Sequence, residues 1–136
     1  MHEIFIETEE QRAILETVQR FVEAEVTPRS AELDANTDPE ASYSWEIVEK
    51  AHEVGLRQAT LSEKYGGMGL DSLTTSMVIE ELGKGDLGVS VIFAQTLKIA
   101  KIMEAALNEE QRSRVLPIFA KDPRGMLGIG ITEPDN

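Results

Sequence analysis

Few residues of this sequence have the types and spacing that chemistry needs. The two histidines, His2 and His52, lie far apart, and there are no cysteines. No His, Asp and Glu set has the spacing of a metal site, and a cysteine nucleophile or thiolate ligand is excluded. The 25 acidic residues are spread along polar faces, the usual place of solvated charge. His52 lies near an apolar helix face and reads as a packed or surface histidine, not a ligand. Two places remain. One is Gln95, a long amide in an apolar helix, which needs a partner. A neighbouring backbone carbonyl or a polar group of a bound molecule would serve. The other is the terminal stretch from Met126 to Asn136. Leu127, Ile129 and Ile131 alternate as one face of a strand, and Thr132-Glu133-Pro134 turns the chain. Glu133 precedes a proline in that turn and reads as a structural or solvent-facing carboxylate, not a general base.

The elements that must position these residues are helices. Thr8-Glu9-Glu10-Gln11 is a capping box, and Ile14, Leu15, Val18, Phe21, Val22 and Val26 follow it at helical spacing. Thr27-Pro28 is expected to end or kink this helix. Residues 31–41 are polar, with Asp38-Pro39 as a turn signal. Ser42 or Ser44 caps a second helix that buries Trp45, Val48, Ala51, His52 and Leu56 and closes near Gly55. Tyr65-Gly66-Gly67-Met68-Gly69-Leu70 is a shaped loop, its glycines set between apolar anchors. Asp71 or Ser72 caps a third helix with Leu73, Met77, Val78 and Leu82 inside and Glu80-Glu81 facing solvent. Gly83-Lys84-Gly85-Asp86 breaks it. A fourth helix runs from about Leu87 to Leu107, its apolar arc (Val89, Ile92, Phe93, Leu97, Ile99, Ala100, Ile102, Met103) wide enough to be covered on more than one side. A second capping box, Asn108-Glu109-Glu110-Gln111, opens a last helix with Val115, Leu116, Ile118 and Phe119 inside, and Pro117 is expected to limit it. The fold class that results is all-α: an up-and-down bundle of about five helices with one C-terminal strand, divided into a helical domain over 1–125 and a first strand and turn over 126–136.

Composition narrows the function. At 136 residues, 41% hydrophobic and 28% charged, the chain suits one globular domain. A net charge of −12 repels phosphate backbones and anionic bilayers, which argues against nucleic acid and membrane partners. The longest apolar run, Val91 to Ala94, is far below the ~20 residues a spanning helix takes. Met1-His2-Glu3 lacks the basic start of a signal peptide, and a cytoplasmic or matrix-like location is expected.

In their order and separations, several of these pieces resemble one family. They are Thr8-Glu9-Glu10-Gln11, Val26-Thr27-Pro28, Glu53-Val54-Gly55-Leu56, Glu63-Lys64-Tyr65-Gly66-Gly67-Met68-Gly69-Leu70, Glu80-Glu81-Leu82-Gly83, Asn108-Glu109-Glu110-Gln111-Arg112, Leu116-Pro117 and Gly130-Ile131-Thr132-Glu133-Pro134. The chain is similar to the N-terminal part of the acyl-CoA dehydrogenases, FAD-dependent enzymes that desaturate acyl-CoA thioesters. The resemblance implies a helical N-terminal domain that precedes a β-domain and a second helical bundle. It implies that Ile131 and Thr132, with Ile129 as a weaker member, meet the flavin, backbone N–H groups and the Thr132 hydroxyl donating to its pyrimidine edge. The loop from Tyr65 to Leu70 and the helix from Leu87 to Lys98 are then expected to line the acyl pocket, with Phe93, Ala94, Gln95 and Leu97 as candidates for setting chain length. The family's catalytic carboxylate belongs to its C-terminal domain, so no catalytic residue is expected in this chain, and the isolated chain is expected to be inactive. The implied partners are an acyl-CoA substrate, electron-transfer flavoprotein or another acceptor, and further copies in a dimer or tetramer. The alternatives are a stand-alone helical interaction module without flavin, and a flavin oxidase or monooxygenase that shares this N-terminal pattern.

Overall fold

The computed structural model describes residues 8–40, 42–130 and 132. Helix α1 (Glu9–Phe21) begins at the capping box. The Thr8 side chain accepts from the Gln11 amide, and Gln11 Oε1 accepts from the Thr8 amide, both at 3.1 Å. Gln11 also donates to Thr74 Oγ1 at 3.1 Å, so the cap ties α1 to a helix 63 residues away. Leu15, Val18 and Phe21 form the buried stripe.

The helix does not end at Thr27-Pro28 as expected. Val22–Val26 makes a π turn and α2 (Thr27–Ala35) follows directly, with Pro28 in its first turn. A proline ring in a helix collides with the carbonyl four residues back. The wider π turn relieves that crowding, so the rod bends its hydrogen bonding without breaking.

Helix α3 (Trp45–Glu53) is capped by Ser44, whose hydroxyl accepts from the Ile47 amide at 3.3 Å. Ile47, Val48 and Ala51 are buried. Trp45, expected inside, is 43% exposed and lies edge-on to Tyr43. The shaped loop then folds on itself. Ala59's carbonyl accepts from Met68 and Leu70, and Leu61's from Gly69. A Cβ at Gly67 would stand 2.0 Å from the Leu61 carbonyl oxygen, so only glycine fits that crossing.

Helices α4 (Ser72–Gly85) and α5 (Leu87–Ala106) are joined by Asp86 alone, which ends one and caps the other. Its Oδ1 accepts from Val89 and its Oδ2 from Ser30 Oγ, at 2.9 and 2.6 Å. Gly85 packs against the π turn, where a Cβ would come within 2.6 Å of Val22 Cγ1. Helix α6 (Glu109–Lys121) opens with its own capping box and runs four residues past Pro117, which was expected to limit it. The bond that Pro117 cannot make falls at Ser113, which is exposed, so water can serve that carbonyl.

Counting α1–α2 as one rod, the described residues form five helical rods, the all-α arrangement the sequence predicts. The main core gathers Leu15, Val22, Ile47, Val78, Leu82 and Phe93. A second core joins Leu61, Tyr65, Ala100, Leu116 and Phe119 under α6. Several side chains expected inside are not: Leu73 is 40%, Ile102 46% and Ile118 68% exposed. Glu81, expected in solvent, is buried and paired with Lys84, and it accepts from Gln19 at 3.3 Å.

Residues 126–130 form no strand. A strand exists through its ladder, and no neighbouring strand occurs among the described residues. This stretch is open chain, with Met126 packed on the main core and Leu127 on the second.

Candidate functional site

Helix α5 carries the candidate pocket residues, and its geometry separates one of them. At 100° per residue, Phe93, Ala94 and Leu97 fall within one 100° arc, with Leu97 one turn after Phe93, and Gln95 lies outside it. Phe93 is 1% exposed and faces the main core, where it closes the floor of a groove of about 680 Å³ with Ile47, Val48, Val89 and Ile92. Ala94 and Leu97 lie on the other flank. With Leu70 from the shaped loop and Thr60, Ile79, Lys98, Lys101 and Ile102 they line a groove of about 450 Å³. Gln95 lines neither groove. Its Oε1 is buried without a hydrogen-bond partner among the described residues. Phe93, Leu97 and Leu70 share the main core, and Leu70, Ala94 and Leu97 border the second groove; among the four candidates Gln95 is the one set apart. Met68 goes elsewhere, to a small apolar cleft against Ala13, Ile14 and Val18 of α1.

Thr96 is the residue on this helix that the sequence did not single out. It is fully buried. Its hydroxyl accepts from the Leu127 amide at 3.2 Å and faces the Leu127 carbonyl at 3.4 Å. It thereby pins the open chain to α5. Beyond this pin, Ile129 is 49% exposed and Thr132 is exposed, while Ile131 lies outside the described residues. A Cβ added at Gly128 or Gly130 would meet nothing within 4 Å. The chain here presents backbone to open space.

The second residue that the sequence left unremarked is Arg57. It is fully buried. Nη1 donates to the Gly125 carbonyl at 2.6 Å, and Nη2 donates to Phe119 and Ala120 carbonyls at 2.8 and 3.2 Å. Nη2 also lies 3.1 Å from His52 Nδ1. A guanidinium only donates, so His52 Nδ1 can take part in that contact only as an acceptor. Burial pulls the Arg57 pKa down from its usual value, and the charge of Asp122 pulls it back up. The guanidinium lies 4.5 Å over the Phe119 ring. The carbonyl end of α6, negative by its dipole, is a fitting place for a cation. A charge flanked by Leu56 and Gln58 was the only available sign of it.

No group of three or more His, Cys, Asp or Glu among the described residues could hold a metal. No helix there is long and apolar enough to cross a membrane.

Comparison with known proteins places this architecture. Residues 8–122 match the family model described as acyl-CoA dehydrogenase, N-terminal domain. The chain belongs to the acyl-CoA dehydrogenase family. It is 32% identical over 127 residues to a Caenorhabditis briggsae protein named "Probable medium-chain specific acyl-CoA dehydrogenase 2, mitochondrial", covering 93% of this chain and 30% of that protein. It is 33% identical over 130 residues to a Clostridium acetobutylicum protein named "Acyl-CoA dehydrogenase, short-chain specific", covering 94% of this chain and 33% of that one. A probable acyl-CoA dehydrogenase of Bacillus subtilis is 27% identical over 130 residues, with 94% and 33% covered. The chain spans about a third of the length of the curated relatives it matches.

Proposed function

We propose that this chain is the N-terminal wall of an FAD-dependent acyl-CoA dehydrogenase. On this reading α5 and the loop from Tyr65 to Leu70 flank the acyl group, and residues 126–132 open the flavin site as the first strand and turn of a β-domain. The observation that carries it is the pinned but open chain after Leu127. Its exposed glycine-flanked backbone leaves room for a planar ring to approach, so the residues present fit one edge of a flavin. The backbone at Ile129 and Ile131 and the Thr132 hydroxyl would hold that edge by donating hydrogen bonds. Bound there, FAD would accept a hydride from the acyl Cβ.

The chain's own residues position and exclude. Ala94, Leu97 and Leu70 offer apolar surface from which water is displaced. Phe93 stiffens α5 from the core side. The unpartnered Gln95 Oε1 fits an N–H donor, such as an amide of the substrate's pantetheine arm or of a covering segment. The abstracting carboxylate is assigned to residues outside this chain. The substrate class would be an acyl-CoA, the electron acceptor an electron-transfer flavoprotein or a substitute, the assembly a dimer or tetramer, and the compartment cytoplasmic.

The test uses the product of the complete reading frame. Purified protein should be yellow, and an acyl-CoA added without oxygen should bleach the flavin band. Colourless protein that takes up no added FAD would leave the interaction-module reading in its place. Flavin that acyl-CoA does not bleach would favour an oxidase or monooxygenase.

A further inference from the structure

We propose that Arg57 is a positioning residue: it clamps the turn from Asp122 to Gly125 so that the chain leaves the helical domain at one fixed place beside α5. Its importance for function rests on the reading of residues 126–132 as a flavin edge.

The geometry is that of a clasp closed from two sides. From within, the Arg57 fork holds the carbonyls of Phe119, Ala120 and Gly125, on both sides of the turn. The turn itself is tied by Gly125 N–H to the Asp122 carbonyl at 3.2 Å and by Arg124 N–H to Asp122 Oδ1 at 2.9 Å. From outside, α3 grips the same turn. Arg124 pairs with Glu49 and lies 5.5 Å over the Trp45 ring, and His52 buttresses Arg57. Two residues past Gly125, the chain reaches its second pin at Thr96. There is little slack between the pins, so the fork sets where Leu127 meets α5.

Stability alone is a poor explanation for this arginine. A buried guanidinium carries a desolvation cost that carbonyls and one imidazole only partly offset, and its Nε has no partner among the described residues. An apolar side chain of similar volume often stabilises as well or better. What methionine cannot do is donate to three carbonyls from one rigid fork. Gly125 is matched to this role. A Cβ there would press on Phe119 at 3.3 Å and on Arg57 Nη1 at 3.4 Å.

The experiment compares the 136-residue chain with Arg57→Met and Arg57→Lys by amide hydrogen exchange and by fluorescence of Trp45, the one tryptophan. In Arg57→Met the Gly125 and Leu127 amides should exchange at least about tenfold faster, while amides of residues 93–100 keep their rates. The Trp45 emission should shift as Arg124 leaves its ring. Arg57→Lys, which keeps the charge and loses the fork, should loosen the same two amides. It serves alone if the methionine variant does not fold. Unchanged exchange at Gly125 and Leu127 would overturn the clamp. So would a rise shared equally by α5, since that is what a general stabiliser gives. FAD binding by the complete protein is a separate readout: its failure removes the flavin edge and leaves the clamp result standing.

Discussion

Asp71 contributes through its contacts with backbone at the start of α4. Its carboxylate accepts from the Thr74 amide at 2.7 Å. That backbone hydrogen bond, then the Thr74 hydroxyl, holds its pKa below the usual 3.8. A depressed carboxylate stabilises the fold above its unfolded value, and that contribution is lost as pH falls through the lower folded value. Asp71→Ala is expected to cost about 1 kcal/mol at neutral pH by urea denaturation, with the difference from wild type shrinking below pH 3.8. Glu25 behaves alike for another reason: hydrogen bonds from Lys50, then from Arg29, lower its pKa. Glu25→Gln should therefore flatten the acid limb of a thermal-stability profile below the ordinary carboxylate value of 4.5. Among single residues, Gln95 was legible because an amide stands out in an apolar run. Arg57 and Glu81 were not, because a charge is buried only when distant partners meet it. Glu81 is met by Gln19, 62 residues earlier, and Arg57 by the end of α6.

At the scale of elements, caps and stripes did most of the work. Thr8 and Asn108 cap their helices as predicted, and of the two candidates at each of the other starts the caps are Ser44 and Asp71, since capping is decided within four residues. The prolines misled for the same local reason. Pro28 breaks a regular helix, and it is tolerated here because the preceding π turn lets it start α2. That turn sits where Val22 and Val26 pack against Gly85 at the end of α4. Gly85→Ala is expected to push these elements apart and to destabilise the domain by about 1–3 kcal/mol in thermal or urea unfolding. The strand expected over 126–131 is an element that no local pattern could secure, since its hydrogen bonds belong to another strand.

For the molecule as a whole, two cores define a helical block, with Met126 packed on one and Leu127 on the other. If, as proposed, the chain supplies a wall of the site and not the base, the 136-residue chain given FAD, an acyl-CoA and an artificial acceptor is expected to show no desaturation. Turnover above a no-protein control would refute that assignment. By itself the sequence determined the helices other than α2, the capping boxes, the presence of a shaped glycine loop and the family. Those rest on periodicity, on capping chemistry and on an ordered set of short segments, all of which are properties of the linear chain. Only the tertiary structure decided that Phe93 and Leu97 share the main core while Gln95 lines neither groove. It alone showed that Arg57 donates to the Gly125 carbonyl and Thr96 accepts from the Leu127 amide, and that residues 126–130 form no strand. The physical reason is that facing, burial of charge and strand pairing depend on groups far apart in sequence, which meet only once the helices have packed.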